Sequence, residues 1–301
     1  MIVVAGASGT LGPLLVPLLV ARGEPVRVVT RDPDAAGRKL SGVELVAGDV
    51  TRPDDAGRAV EGARVVVSAI TGFASPAGIQ AVDIEGNRIL ADAAAAAGVE
   101  QFVLLSVNQA SADHPMALLR AKFAAEQAVR ASGVGWTFIR PTAYLETWLG
   151  LIGGPLVTKG KTLVFGRGRN PINFVSALDV AHFVDLAIAD RSLGKVVEVP
   201  GPENLTLDQL VEIVETASGR SGGVSHSPRP LMRLLSIALR PIDRMRAGQI
   251  GAALVMDTRD MTVDGRTVRA AYPSIPMTTA AIVAERLFGA TAGHLAQTAT
   301  A

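Results

Sequence analysis

The chain has 301 residues, of which 49% are hydrophobic and 19% are charged, a composition that excludes an intrinsically disordered protein. Lysine and arginine number 29 against 28 aspartates and glutamates, so the chain lacks the basic surplus that broad nucleic-acid binding requires. The lack of cysteine excludes disulfides, thiolate metal sites and a cysteine nucleophile, and the four scattered histidines predict no metal cluster.

The sequence predicts neither a membrane span nor a signal peptide. No apolar run approaches the roughly 18–20 residues that a membrane helix needs. The chain opens with the strand-like run Met1-Ile2-Val3-Val4 instead of a basic stretch followed by an apolar one. We therefore expect a cytoplasmic protein.

Short β-branched runs alternate with alanine-rich stretches through the first half of the chain. The runs are continuously apolar, which is typical of strands buried on both faces. The alternation predicts an α/β fold with a Rossmann-type, doubly wound parallel sheet. The predicted strands are Ile2–Ala5, Val26–Val29, Val43–Ala47, Val65–Ser68, Gln101–Ser106 and Trp136–Ile139. The predicted helices are Leu11–Arg22, Pro53–Val60, Asp83–Ala97 and Leu118–Ser132.

The pattern loosens after Arg140-Pro141, and we divide the chain there into two parts. Residues 1–150 form the first domain, and residues 151–301 form a smaller C-terminal substrate or lid lobe that partly returns to the first sheet. The small, polar tail beyond about Ala290 is expected to fray. The later predicted elements are loops at Gly153-Gly154-Pro155, 166–171 and Ser221–Pro230, helices at Ala177–Ala189 and Leu207–Ala217, a strand at Val196–Val199, and N-caps at Asp179 and Thr206.

The strongest candidate site is a glycine-rich turn between the first strand and the first helix. Glycine permits a tight turn, close approach of a diphosphate to the backbone, and close packing of the helix, whose first N–H groups then bind phosphate. The spacing is Gly-x-x-Gly-x-x-Gly instead of Gly-x-Gly-x-x-Gly, but the position favours a dinucleotide site over an empty turn. The residues predicted to bind the cofactor are Gly6, Ser8, Gly9, Thr10, Leu11 and Gly12.

The end of the second strand bears on the choice between NAD and NADP. An acidic residue about 20 residues after the glycines would bind the ribose hydroxyls of NAD, whereas an arginine would bind the phosphate of NADP. Both occur, as Arg31 and Asp32, and Asp32 precedes a proline as an N-cap often does. We assign Asp32 to capping and Arg31 to the phosphate. NADP(H) is thus favoured over NAD(H), unless Arg31 is only a solvated surface residue.

More candidates follow the third and fourth strands, at the carboxyl ends where open α/β sheets bind ligands. Asp49 is a candidate acceptor for the adenine amino group, with Val50 beside the ring. The alternative for Asp49 is a turn or cap role before Thr51. The residues predicted to contact the cofactor after the fourth strand are Ser68, Ala69 and Ile70.

These motifs resemble, in order, those of the NmrA-like NAD(P)-binding group of atypical short-chain dehydrogenases/reductases. The resemblance covers roughly residues 1–215 well and the remainder loosely. It implies that Lys122 reaches the nicotinamide ribose. The further matching pieces are Gly86-Asn87, Phe102–Ser106, Lys122 with Glu126, and Ile139–Thr142.

The chain departs from this family at one catalytic position. The family's common pair is Tyr-x-x-x-Lys, but Leu118 stands where the tyrosine would precede Lys122. In isoflavone-reductase-like relatives this lysine itself serves as general acid/base, so the resemblance implies that catalytic role for Lys122. Ser106 is a further candidate for cofactor binding.

Two residues are candidates for the substrate. Asn108 follows the fifth strand, and Tyr144 follows the sixth, where relatives line the substrate pocket. A turn role for Asn108 and simple packing of Tyr144 remain alternatives. The apolar stretch Leu231–Met245, which carries arginines, is interpreted as a lid or dimer helix in preference to a membrane or quinone contact.

Two functions follow from these interpretations. The first is an NADP(H)-dependent oxidoreductase acting on a small organic, carbonyl or quinone-like substrate, in which the nicotinamide carries the hydride chemistry. The second is a catalytically silent NADP(H)-binding redox sensor that acts through a protein partner, which the missing tyrosine favours. The hydrophobic second half favours the enzyme, and a homodimer is left open.

Overall fold

The computed structural model describes residues 1–73 and 75–289, and the predicted frayed tail beyond Ala290 lies outside them. The chain forms two compact units. Unit 1 comprises Met1–Pro141 and Val180–Val199, and unit 2 comprises Thr142–Asp179 and the described residues from Pro200 onward. No helix in these ranges combines the length and apolarity needed to cross a bilayer.

Unit 1 is built on a seven-stranded parallel sheet, which confirms the predicted Rossmann-type fold. Its strands are β1 Ile2–Ala5, β2 Val26–Thr30, β3 Glu44–Ala47, β4 Val65–Ser68, β5 Gln101–Leu105, β6 Trp136–Pro141 and β10 Lys195–Val199. They lie in the order β10-β6-β5-β4-β1-β2-β3. The order reverses direction between β1 and β4, which is where open parallel sheets bind ligands.

Helices flank this sheet. They are α1 Gly12–Ala21, α2 Pro33–Gly37, α3 Pro53–Val60, α4 Pro76–Gly78, α5 Asn87–Ala96, α6 Ala117–Ser132 and α8 Ala177–Ala189, whose first residues belong to unit 2. A π-helical segment, Ile79–Gly86, joins α4 to α5 without a break. The helix predicted to begin at Asp83 therefore begins earlier, and its widened turn is a feature often found near functional sites.

Both faces of the sheet are buried, as the continuous apolar runs predict. Val3, Val66 and Phe138 pack in one core with residues of α3, α5 and α6. Their neighbours along the strands, such as Val4 and Val67, are also fully buried and point to the opposite face because side chains alternate.

Unit 2 contains two small sheets, ordered β11-β9-β7 and β12-β8. The strands are β7 Ala143–Tyr144, β8 Lys161–Phe165, β9 Ile172–Val175, β11 Glu203–Leu205 and β12 Gly223–Ser227. The helices are α7 Leu145–Lys159, α9 Leu207–Ser218, α10 Arg229–Ala238, α11 Arg244–Thr258, α12 Arg266–Ala271 and α13 Ala280–Phe288. The predicted N-cap Thr206 is confirmed, with Gln209 completing a capping box.

Two of the predicted loops are wrong. Gly153-Gly154-Pro155 lies inside α7. A Cβ atom on Gly153 would come within 2.7 Å of the Phe288 ring, so this glycine allows close packing of the helix and does not form a turn. The segment Ser221–Pro230 contains β12, which pairs with β8 in parallel. The loop at 166–171 is confirmed between β8 and β9.

Asp179 is not the N-cap of α8, since that helix begins at Ala177 and Asp179 lies in its first turn. Its fully buried carboxylate accepts hydrogen bonds from the Thr278 backbone N–H at 3.1 Å and the Thr278 hydroxyl at 2.6 Å. It also forms an ion pair with buried Arg269 at 3.0 Å. Within unit 2, this pair therefore joins the start of α8 to α12 and to the segment before α13.

We expect Asp179→Asn to lower the free energy of unfolding by about 3–5 kcal/mol, because it leaves the buried Arg269 cation unpaired. Urea unfolding followed by circular dichroism measures this loss. Replacing both partners, in Asp179→Leu with Arg269→Met, should cost less. Asp264→Asn, which breaks the exposed pair with Arg266, is the control and should leave the unfolding midpoint unchanged. Equal losses from the buried and exposed changes would refute this role for Asp179.

Candidate functional site

The glycine turn after β1 is held against the chain that leaves β4. Gly6 has φ +86°, a conformation that side chains other than glycine rarely adopt. A Cβ atom on Gly6 would lie 2.5 Å from the Ala69 carbonyl oxygen and 2.9 Å from the Ile70 nitrogen. The two chain segments thus meet in near backbone contact at the point where the strand order reverses.

The other two glycines of the turn meet different surroundings. A Cβ atom on Gly12 would lie 2.0 Å from the Ala7 carbonyl oxygen, so α1 begins directly against the turn. A Cβ atom on Gly9 would meet only the Gly6 carbonyl oxygen, at 3.4 Å. Space is therefore open at Gly9, where a ligand would approach the backbone.

Backbone donors of the glycine turn are left without acceptors among the described residues. The N–H groups of Ser8, Thr10 and Leu11 have no acceptor in the part of the chain that the structure describes. Residues Ser8 to Thr10 are exposed, and α1 starts just after them with its positive dipole end. Free donors, an absent side chain and a helix N-terminus fit the diphosphate of a dinucleotide.

At the end of β2, Arg31 and Asp32, the two candidates for binding near the adenine ribose, have different surroundings. Asp32 accepts a hydrogen bond from the Ala35 N–H at 2.9 Å and caps α2, as predicted. Arg31 is exposed, and its guanidinium has no hydrogen-bond or ion-pair partner within residues 1–73 and 75–289. A free cation therefore stands beside a committed carboxylate, an arrangement that suits a phosphate.

Asp49 holds the turn after β3. Its Oδ1 accepts from the Thr51 N–H at 3.0 Å and from the Thr51 hydroxyl at 2.7 Å. These bonds, assisted by the charge of Arg31, hold the pKa of Asp49 below its usual range. The turn role is thus present, and a contact with adenine stays a prediction. Val50 is buried in the core of unit 1.

Ser68 lies behind the site. It is fully buried, and its hydroxyl donates to Asn87 Oδ1 at 2.6 Å, while Asn87 Nδ2 donates to the Asp83 carbonyl oxygen at 2.8 Å. The Ser68 side chain is thus engaged by Asn87, and its contact with a cofactor stays a prediction. Ala69 is partly exposed at the edge of the sheet, and Ile70 is 7% exposed.

Lys122 is neither a surface lysine nor a free one. It is 6% exposed, and its Nζ lies 3.0 Å from Asp83 Oδ1 and donates to the Ile70 carbonyl oxygen at 2.9 Å. The second oxygen of Asp83 accepts from the Gly72 N–H at 2.8 Å. An ammonium has three donors, and among the described residues only the Ile70 carbonyl oxygen accepts a hydrogen bond from it, so Lys122 keeps donors for a ligand at the carboxyl end of β4.

Asp83 was missed by the sequence analysis. No motif contains it, and its partner is distant in the sequence. The spacing between Asp83 and Asn87, one turn apart before the alanine-rich helix, is the only signal that could have suggested a shared role.

A second buried acid lies one turn beyond Lys122 on α6. Glu126 is fully buried and accepts from the Ser106 hydroxyl at 2.5 Å. Arg140 donates two hydrogen bonds to it, at 2.8 and 2.7 Å. These bonds raise the pKa of the Arg140 guanidinium above its ordinary value. Ser106, predicted to bind the cofactor, is thus engaged by this acid.

These hydrogen bonds continue to Glu198 on the outer strand β10. Arg140 also pairs with Glu198 at 3.2 Å, and Asn108 Nδ2 donates to the other oxygen of Glu198 at 2.9 Å. Asn108 is partly exposed, so it can contact a ligand while Glu198 fixes its amide. The contact between Asn108 and a substrate stays a prediction.

Tyr144 belongs to unit 2, at the start of α7, and is partly exposed. Desolvation by the surrounding protein raises the pKa of its phenol, and the Glu146 carboxylate raises it further. Tyr144 is therefore a neutral donor at physiological pH. No group of three or more histidines, aspartates and glutamates among the described residues could hold a metal ion.

The glycines give a test that separates binding from folding. Gly9→Ala should leave the unfolding midpoint unchanged but weaken NADPH binding at least tenfold, because the new methyl group enters the open space. Gly6→Ala should instead destabilise the fold by about 1–3 kcal/mol, since its φ is positive. Titration calorimetry and thermal unfolding of the two variants check both. If Gly9→Ala binds NADPH as tightly as the native chain does, the diphosphate does not bind at this turn.

Comparison with known proteins supports the same assignment. A family model described as NAD(P)H-binding matches residues 6–191. The chain is 31% identical over 224 residues to a (4-alkanoyl-5-oxo-2,5-dihydrofuran-3-yl)methyl phosphate reductase from Streptomyces griseus, covering 73% of this chain and 74% of that one. It is 26% identical over 236 residues to the photosystem II assembly factor Ycf39 of Cyanophora paradoxa, covering 77% and 73% of the two chains.

Among solved structures, the fold is similar to an NADPH-dependent quinone oxidoreductase from Escherichia coli complexed with NADPH. The TM-score is 0.77 at 22% identity, covering 96% of this chain and 100% of the other. The motifs, the sheet order and the family match agree. The chain belongs to the NAD(P)H-binding family whose model matches residues 6–191.

Proposed function

We propose that this chain is an NADP(H)-dependent oxidoreductase that reduces a small organic acceptor with a carbonyl or quinone-like oxygen. The observation that carries the proposal is the position of the Lys122 ammonium. Asp83 and the Ile70 carbonyl oxygen hold it at the carboxyl end of β4, beside the glycine turn. A buried, fixed cation at this edge suits an oxygen that gains negative charge during reduction.

The choice of NADP(H) is supported by Arg31. Its guanidinium is exposed at the end of β2 and has no hydrogen-bond or ion-pair partner among the described residues, whereas Asp32 is engaged in capping α2. A free carboxylate at that position would favour the ribose hydroxyls of NAD instead. The electrostatics of this end of the site therefore favour the additional phosphate.

When bound, the nicotinamide ring supplies or accepts a hydride. The residues of the chain supply orientation and charge. Lys122 donates a free N–H to the nicotinamide ribose or to the acceptor oxygen, and the ion pair with Asp83 keeps the ammonium in place. Because Leu118 brings no phenol, Lys122 takes over proton transfer to the reduced oxygen.

We expect Lys122→Met to lower the turnover of NADPH with quinone and carbonyl acceptors by roughly 100-fold or more, the usual contribution of a general acid. Affinity for NADPH should fall far less, because the diphosphate and Arg31 contacts remain. Stopped-flow absorbance at the nicotinamide band measures turnover, and calorimetry measures binding.

Lys39→Met, at an exposed lysine of unit 1, is the matched control and should behave as the native protein. Asp83→Asn should lower turnover as well, with binding again retained. Full turnover in Lys122→Met would reject the role of Lys122. Circular dichroism shows whether a single variant loses its secondary structure because a buried charge is left unpaired. In that case the double variant Lys122→Met with Asp83→Asn, which removes both charges together, is measured instead.

Arg31→Ala should weaken NADPH binding by tenfold or more, because a hydrogen bond to a charged group contributes about 1.5–3 kcal/mol. NADH affinity should change little. Calorimetric titration with both nucleotides gives the ratio, and Arg38→Ala, another exposed arginine, is the control. Equal weakening for the two nucleotides would remove the phosphate contact assigned to Arg31, and no weakening for either would make it a solvated surface residue.

A second candidate is an NADP(H)-binding sensor that acts through a protein partner. Leu118 at the usual tyrosine position favours it, as does the similarity to an assembly factor. Measuring NADPH oxidation by the native chain distinguishes the two functions. Tight NADPH binding by the native chain, with no oxidation in the presence of any quinone or carbonyl acceptor, would support the sensor and reject the enzyme.

A further inference from the structure

Unit 2 exposes an apolar helix face that carries unpaired arginines. On α10, Leu231, Leu234 and Ile237 are 48%, 63% and 64% exposed, and their spacing of three residues places them on one face. In the turn after α10, Ile242 is 83% exposed. The α10 surface is defined here by these four side chains together with Arg233, Arg240 and Arg244.

The opposite side of α10 is attached to the rest of unit 2. Met232 is 4% exposed, and its sulfur accepts from the Gly166 N–H at 3.2 Å. Arg229 pairs with the buried carboxylate of Asp257. These contacts fix the rotation of α10, so its exposed apolar face is a built feature of the unit and not a fraying end.

Charge on this segment is one-sided. Residues 229–246 contain five arginines and one aspartate, although the whole chain has a net charge of only +1. Arg229 is engaged by Asp257, and Arg246 by Asp243 at 3.4 Å. The guanidiniums of Arg233, Arg240 and Arg244 have no partner in the described part of the chain. The surface therefore combines exposed aliphatic groups with three free cations.

We propose that the α10 surface binds the interface of a bilayer that contains anionic lipids, a property beyond the proposed reductase function. Leu231, Leu234, Ile237 and Ile242 would enter the boundary between headgroups and acyl chains, and the arginines would contact lipid phosphates. A second copy of the chain suits this surface less. In a two-fold contact the same arginines would face each other and repel.

Vesicle flotation of the full chain tests the proposal. We expect binding to mixed phosphatidylcholine and phosphatidylglycerol vesicles and much weaker binding to pure phosphatidylcholine. Binding should fall when salt rises from about 0.1 M to about 1 M, because the Debye length shortens from about 10 Å to about 3 Å. Inorganic phosphate at equal ionic strength should compete no better than chloride, which distinguishes a lipid surface from a free phosphate site.

Variants assign the binding to named residues. Leu234→Ser with Ile237→Ser should lower the vesicle partition coefficient at least tenfold. Replacing Arg233, Arg240 and Arg244 by glutamine should lower it roughly 100-fold, while lysine at these positions should keep it. Leu151→Ser, at an exposed leucine of α7 with 59% exposure, is the matched control and should bind as the native chain does.

Three results would overturn the proposal. The native chain could fail to float with anionic vesicles, or the α10 variants could float as well as the native chain. The third is dimerisation without lipid that Leu234→Ser with Ile237→Ser abolishes in sedimentation equilibrium, which would assign the surface to a second copy. Circular dichroism spectra verify that each variant is folded.

Discussion

The near contact between the backbone at Gly6 and the backbone at Ala69 and Ile70 is the constraint on which the candidate site depends. It ties the end of β1 to the end of β4 at the point where the strand order reverses. A side chain at Gly6 would separate these segments, and the Ile70 carbonyl oxygen that holds Lys122 would move with them. The glycine turn and the candidate catalytic lysine are therefore positioned by one backbone approach.

Helix α6 carries the second part of the arrangement by burying two charged residues on one face. Lys122 and Glu126 lie one turn apart, and each is neutralised by a partner from another element, Asp83 and Arg140 respectively. Buried charges are costly unless they are paired and hydrogen-bonded. Pairing fixes the side chains, so the edge of the sheet presents ordered donors and acceptors to a ligand.

Sequence reasoning succeeded where a local pattern has one physical cause. The buried strands of unit 1 follow from continuous apolar runs, and the capping role of Asp32 follows from the proline after it. It failed where distant residues decide the outcome. Gly153 is typical of a turn in sequence, and only the structure shows Phe288 packed against it. The ion pair of Asp83 with Lys122 could be predicted only from the relative positions of the two helical segments that carry them. Sequence reasoning also did not foresee that the Ser68 side chain is fully buried and bonded to Asn87.

Leu118 and the buried Lys122 together limit what chemistry the site can do. With Leu118 in place of the phenol, Lys122 is the candidate proton donor, and Asp83 neutralises its charge while the Ile70 carbonyl oxygen takes one of its donors. The N–H groups that are left can orient a ribose or polarise one oxygen. Acceptors that are easily reduced need only such modest help, because most of the driving force lies in the acceptor and the nicotinamide. This balance favours quinone-like acceptors over simple ketones for the proposed reaction.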